Sequence, residues 1–196
     1  MNLSLFLSRK LTHFFVQNNV IPADQEKAYE FCFDSVIGFV MFSLFLLLFG
    51  IMIGAFPYAL LFLITFVPLK KCAGGAHALT RTLCTLLSYG YACISLLLVR
   101  YDPVFMNRKY FSVVFLLCLL SINGLAPVDT RKHPLSPSSK KKLKKCCLMI
   151  SSLMLLLFFF FYYLNNKKSL FLLTLSCLVI AGNQYIELIQ KGVQRK

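Results

Sequence analysis

Apolar residues run through this 196-residue chain in long blocks instead of helical stripes. No charged residue occurs from Ser35 to Leu69. A single helix of that length would extend ~52 Å at 1.5 Å per residue, far beyond a hydrocarbon core of about 30 Å. The block must turn, and Gly50, Gly54 and Pro57 predict where, since glycine and proline weaken a continuous helix. Four more blocks, about Thr82 to Val99, Tyr110 to Pro127, Cys147 to Leu164 and Ser169 to Leu188, are bounded by charges. The pattern predicts an all-α polytopic membrane protein of about six transmembrane helices. Several spans are short, so local bilayer thinning or snorkelling of flanking Lys and Arg is expected.

The first 34 residues read differently. Leu3, Phe6, Leu7, Leu11, Phe14, Phe15 and Val16 are interspersed with polar side chains, including His13, as in an amphipathic helix lying in the membrane interface. No positive n-region precedes the apolar part and no small-residue cleavage site follows, so the segment is not expected to be a secretory signal. Pro22 ends it, and Asp24, Glu26, Glu30 and Asp34 lead into the first span. The expected organisation is an interfacial segment at 1–34, a six-helix domain at 35–189 with loops at 70–84 and 128–146, and a basic tail at 190–196.

Composition removes the soluble alternative: 58% of residues are hydrophobic and 14% charged, against roughly a quarter charged in ordinary globular domains. The net charge of +14 is distributed unevenly. Six crossings put Arg9, Lys10, Lys27, Lys70, Lys71, Arg81, the seven bases from Arg131 to Lys145, Lys191, Arg195 and Lys196 on one side, 16 of the 21 Lys and Arg. Arg100, Arg108, Lys109, Lys167 and Lys168 fall on the other. The positive-inside rule then predicts cytoplasmic termini and a cytoplasmic 70–84 loop. Three of the eight cysteines, Cys93, Cys118 and Cys177, lie in expected spans and the rest at or near the reducing face, which argues against a disulfide framework and for packing thiols, the vicinal Cys146 and Cys147 among them. No G-x-x-x-x-G-K-S/T motif supplies a nucleotide site.

Residues 72–84, CAGGAHALTRTLC, carry the candidate chemistry. Thiol peptidase chemistry needs a thiolate, a base to accept its proton, and donors for a tetrahedral oxyanion. Cys84 and His77 supply the first two. On one straight helix seven residues would separate them by ~10.5 Å of rise. Gly74 and Gly75 permit positive φ and a tight fold before His77. The expectation is therefore a helix beginning near Thr80 as N-cap, with His77 curling back over Cys84. The helix dipole, Arg81 and an imidazolium would then all favour the thiolate. Backbone N–H groups of the glycine turn or helix start would form the oxyanion hole; no third residue is obvious from the spacing, and Asp129, on the same expected membrane face, is the candidate to orient His77. Two other readings stand at this point: Cys84 as one packing cysteine among eight, and a zinc site of Cys72, His77 and Cys84, which lacks a fourth ligand. Gly50-Ile51-Met52-Ile53-Gly54 also matches a small-xxx-small contact motif, but lies at the expected turn. Asn123 and Gly124 ahead of Pro127 point to a polar break at the end of the fourth span.

GGAHALTRTLC, preceded by Lys70 and Lys71, resembles the AgrB family, the accessory gene regulator membrane peptidases of Gram-positive quorum sensing. APVDTRKHPLS at 126–136 followed by KKKLKK is similar to a second region of that family. Lys70 stands where the family often has Arg, and His133 where Asn or Lys is common. The resemblance implies a cysteine endopeptidase in a bacterial cell membrane that cuts the C-terminal tail from an AgrD-like propeptide. Cys84 would form a thioester, His77 would be general base and acid, and an internal thiol or hydroxyl of the peptide would close a thiolactone or lactone ring. It also implies a homodimer. Lys140, Lys141, Lys142, Lys144 and Lys145 would attract the acidic tail of the propeptide, or hold topology and anionic lipid. No cofactor, metal or nucleic acid is expected. The rivals from other classes are a peptide exporter or facilitator, and a membrane scaffold without peptidase activity.

Overall fold

The computed structural model describes residues 3–75, 81–101, 107–128 and 136–193. Among these residues seven α-helices follow one another: α1 Leu3–Gln17, α2 Glu26–Met52, α3 Phe56–Ala73, α4 Arg81–Arg100, α5 Arg108–Leu125, α6 Pro137–Tyr163 and α7 Lys167–Val193, with a 3-10 turn at Ala23–Gln25 between α1 and α2. α2, α3, α5, α6 and α7 are long and apolar enough to cross a bilayer, and Thr85–Arg100 of α4 is a shorter apolar helix. The chain is an all-α polytopic membrane protein. Its surface is inverted relative to a soluble fold. Leu44, Leu48, Leu86, Leu117, Leu120, Leu156 and Phe160 are exposed, while Ser95, Ser151, Thr174, Ser176 and Gln184 are buried, as expected where lipid is the solvent and polar groups must find partners inside.

The chain divides into two compact units, Met1–Leu48 and Phe49–Lys196. In the first, α1 lies against the start of α2. Arg9 Nε donates to Glu30 Oε1 at 2.8 Å, and the Phe15 and Phe33 rings stack with centroids 5.7 Å apart. Phe6, Leu7, Leu11 and Phe14 are left exposed along α1.

The second unit is organised around α7, the most buried span, which packs on α3, α4, α5 and α6. Leu170, Leu172, Leu173 and Ile180 supply its largest fully buried side chains. Phe115 of α5 and Phe158 of α6 stack face to face, 4.2 Å between centroids. Tyr91 of α4 sits against Phe62 and Phe66 of α3 and donates its hydroxyl to the Leu175 carbonyl of α7 at 2.9 Å. Between helices that lipid does not drive together, such packing and hydrogen bonds supply the cohesion.

The uncharged block turns where glycine and proline predict. α2 ends at Met52, Gly54 takes φ +66°, and Pro57 falls in the first turn of α3, where its missing N–H costs nothing. Gly50 lies inside α2, and a Cβ there would come within 2.7 Å of the Ala59 Cβ. It is a close-approach glycine packing the last turn of α2 onto the first turns of α3. Arg100, ending α4, donates to the Ile53 carbonyl of this turn at 3.0 Å. Arg108 reaches Asn165 in the α6–α7 connection at 3.1 Å. α6 starts at Pro137, ahead of the apolar block. Ser136 is its N-cap, accepting from the Ser139 N–H at 3.3 Å, and Pro137 follows at the first position. Lys140, Lys141, Lys142, Lys144 and Lys145 thus lie on the exposed first turns of a helix.

Candidate functional site

The last turn of α3 leads into the double glycine. Lys70, half-buried, donates to Ser88 Oγ of α4 at 3.1 Å, with its ammonium 5.4 Å from the centre of the Phe66 ring. Ser88 lies one helical turn beyond position 84 along α4. α4 begins at Arg81, putting Cys84 in its first turn, where the backbone N–H groups have no intrahelical acceptor and the dipole favours negative charge. For Arg81 and Cys84 the described part is the helix backbone. His77, Thr80 and Asp129 lie outside the described residues, as does His133.

Gly74 and Gly75 show why two glycines stand together. Gly74 adopts φ +71° and ψ −161°, a region essentially reserved for glycine. A Cβ on it would run into the Val128 carbonyl. Gly75 adopts φ +129°, and a Cβ there would lie 3.2 Å from the Asn183 backbone of α7. The turn is clamped from both sides. Val128, just past α5, pairs with Gly74 in a parallel bridge, and its N–H donates to the Ala73 carbonyl at 3.0 Å. From α7, Gln184 Nε2 donates to the same carbonyl at 3.0 Å. The segments that continue towards His77 and towards Asp129 therefore leave from one docked pair of backbones.

Two further clusters surround the turn. Cys72 and Cys146 bring their sulfurs within 3.1 Å, joining the end of α3 to α6. Asn123 Oδ1 accepts from Ser151 Oγ of α6 at 2.8 Å, with the Cys147 sulfur at 3.8 Å. This polar knot lies where Asn123 and Gly124 predict a break in the fifth helix, and α5 ends at Leu125. Among the described residues no group of three His, Cys, Asp or Glu is arranged to hold a metal ion.

Gln184 is the site residue that the hydrophobic pattern missed. It is fully buried, 111 residues from the carbonyl it binds. The available signal was the pair Asn183-Gln184 inside the last apolar block, since a polar side chain at membrane depth is a functional pointer.

Residues 8–189 match the family model described as accessory gene regulator B. Among curated proteins, the chain is 30% identical over 89 residues to accessory gene regulator protein B of Staphylococcus intermedius, an alignment spanning 45% of this chain and 46% of that protein. The chain thus matches about half the length of that relative. No solved structure is a significant match. With the family model covering nearly the whole chain, including the glycine turn, Cys84 and both basic segments, this protein belongs to the accessory gene regulator B (AgrB) family.

Proposed function

We propose that this protein is a membrane-embedded cysteine endopeptidase that cuts the C-terminal tail from an AgrD-like propeptide and leaves the remainder poised to cyclise, as a step in quorum sensing. The observation that carries the reading is the clamped double glycine at the end of α3: two residues before His77, the backbone is held by Val128 and Gln184 in a conformation only glycine adopts, beside a helix whose first turn holds Cys84.

The chemistry follows from those residue types. His77 takes the proton of Cys84, and the thiolate attacks the scissile carbonyl. The oxyanion is held by the N–H groups at the start of α4, which have no acceptor within the helix, since the Gly74 N–H of the glycine turn is committed to the Lys70 carbonyl. The imidazolium returns its proton to the departing amine, so the tail leaves and a thioester remains on Cys84. An internal thiol of the peptide then exchanges with that thioester and closes a thiolactone; a hydroxyl would close a lactone. A dry site at the membrane edge suppresses hydrolysis of the intermediate. Asp129, one residue past the Val128 that pairs with Gly74, is the proposed orienting group for His77, with Lys70 and Arg81 supporting the negative charge. The exposed lysines on the first turns of α6 attract the acidic tail, and anionic lipid serves the same surface. Both termini and the catalytic loop face the cytoplasm in this reading, and a second copy of the chain completes the assembly.

The test uses protein reconstituted in lipid vesicles with the short peptide encoded beside it. Cys84→Ala and His77→Ala should each abolish cleavage while inserting normally. Native-rate cleavage by either variant removes the dyad; transport of the uncut peptide would favour an exporter.

A further inference from the structure

Gln184 presents an imbalance. Its amide orientation is dictated by chemistry: the Ala73 carbonyl is an acceptor, so the NH₂ must face it, 3.0 Å away. That leaves Oε1 buried and without a hydrogen-bond partner among the described residues. A buried acceptor left unpaired is a cost to folding. The Ala73 carbonyl does not depend on Gln184 either, because the Val128 N–H already donates to it at 3.0 Å. An apolar side chain of similar shape would remove one redundant hydrogen bond and one orphaned oxygen together, so fold stability alone gives no reason for an amide here.

We propose that Gln184 is a positioning residue for the peptidase site. By taking the second lone pair of Ala73, it ties the double-glycine turn to α7, the central helix of the bundle, and so fixes where the chain departs towards His77. Asn183 strengthens the tie by packing on Gly75, where a Cβ would meet its backbone at 3.2 Å. His77 Cα can lie at most ~7 Å from that of Gly75 by chain length, so an error in the direction of the turn passes almost undiminished to the imidazole. Misplacement of a catalytic group by 1 Å costs up to about 100-fold in rate.

The inference rests on the Cys84–His77 reading, and the experiment separates the two. The probe is iodoacetamide: the rate of Cys84 alkylation is followed against pH in the full chain in lipid, with the modified peptide identified by mass spectrometry. Thiolate reactivity at neutral pH then reports the coupling to His77. Gln184→Met should keep the native thermal melt of the helical circular dichroism while slowing Cys84 alkylation at pH 7 by about tenfold, the rate recovering at alkaline pH where the thiol ionises unaided. Gln184→Leu, apolar and likewise without a donor, should behave the same way. A merely structural role would lower the melt and leave the pH profile in place. Native alkylation in either folded variant, or failure of both to fold, overturns the proposal. His77→Ala is run in parallel. If it leaves the Cys84 profile unchanged, the dyad fails and this inference with it. If it slows alkylation while both Gln184 variants remain native, only the role of Gln184 falls.

Discussion

Replacing Gly74 with alanine asks whether the turn is clamped as described, and Gly54→Ala supplies the control. Both glycines have positive φ, +71° and +66°. They differ in surroundings: a Cβ at Gly54 meets nothing within 4 Å, while one at Gly74 collides with the Val128 carbonyl and lies 3.1 Å from its nitrogen. Alanine at Gly54 should cost only the left-handed backbone penalty, about 1–2 kcal/mol. At Gly74 the dihedral pair is a glycine-only combination costing about 1–3 kcal/mol. Displacing Val128 adds an overpacking cost of about 1–3 kcal/mol. Unfolding in detergent with added denaturant, followed by far-ultraviolet circular dichroism, compares the two. Gly74→Ala should lose at least twice as much stability as Gly54→Ala, or keep the fold by releasing Val128 and lose cleavage. Equal, mild effects with cleavage intact would refute the docking of residue 128 on the end of α3.

In a chain whose other cysteines are replaced, Cys72 and Cys146, with sulfurs 3.1 Å apart, should be joined by copper-phenanthroline, since closing to a disulfide requires a shift of only about 1 Å; an uncrosslinked chain on a non-reducing gel and by mass would sink the α3–α6 packing. Asn123→Leu removes the acceptor of the 2.8 Å bond from Ser151 and should lower stability by about 0.6–1.7 kcal/mol, the range for such contacts between membrane helices, so an unchanged denaturation midpoint would count against the pairing. Arg9→Ala should shift stability by less than about 1 kcal/mol, because the Arg9–Glu30 pair is exposed, 66% and 25%; a larger loss by the same denaturant assay would mean that α1 is held by more than its rings. Changing Lys140, Lys141, Lys142, Lys144 and Lys145 to Gln should slow cleavage of a propeptide with an acidic tail and leave one with a neutralised tail unaffected; equal slowing of both would assign these lysines to lipid alone.

The parts of the fold that depend on local chemistry could be read from the chain. An uncharged run too long for one crossing had to turn, and Gly54 and Pro57 turn it. The glycine pair forecast an unusual backbone ahead of position 77, and both residues have positive φ. A helix start near Thr80 agrees with α4 beginning at Arg81. The first turns of α6 fall inside the stretch expected as loop because five lysines and a serine-rich start obscure helical periodicity, although Ser136-Pro137 is a good helix opening. What the pattern could not supply is what depends on distant pairs. The centrality of α7, the docking of Val128 on Gly74, the amide of Gln184 on Ala73 and the approach of Cys72 to Cys146 join residues 54 to 111 positions apart. Nothing in local hydrophobicity encodes which helix neighbours which, because in lipid every span is apolar on all sides and packing is chosen by shape and by a few polar contacts.

The central claim is that Cys84 carries the peptide as a thioester, and the direct measurement is the intact mass of the protein after a single turnover. Lipid-reconstituted enzyme is mixed with the propeptide, quenched in acid within its turnover time and weighed. The account predicts a covalent adduct equal to the propeptide minus its tail, mapped to Cys84, discharged by hydroxylamine and absent from Cys84→Ala. Tail release at the native rate with no adduct on any residue, or an adduct that persists in Cys84→Ala, would contradict it.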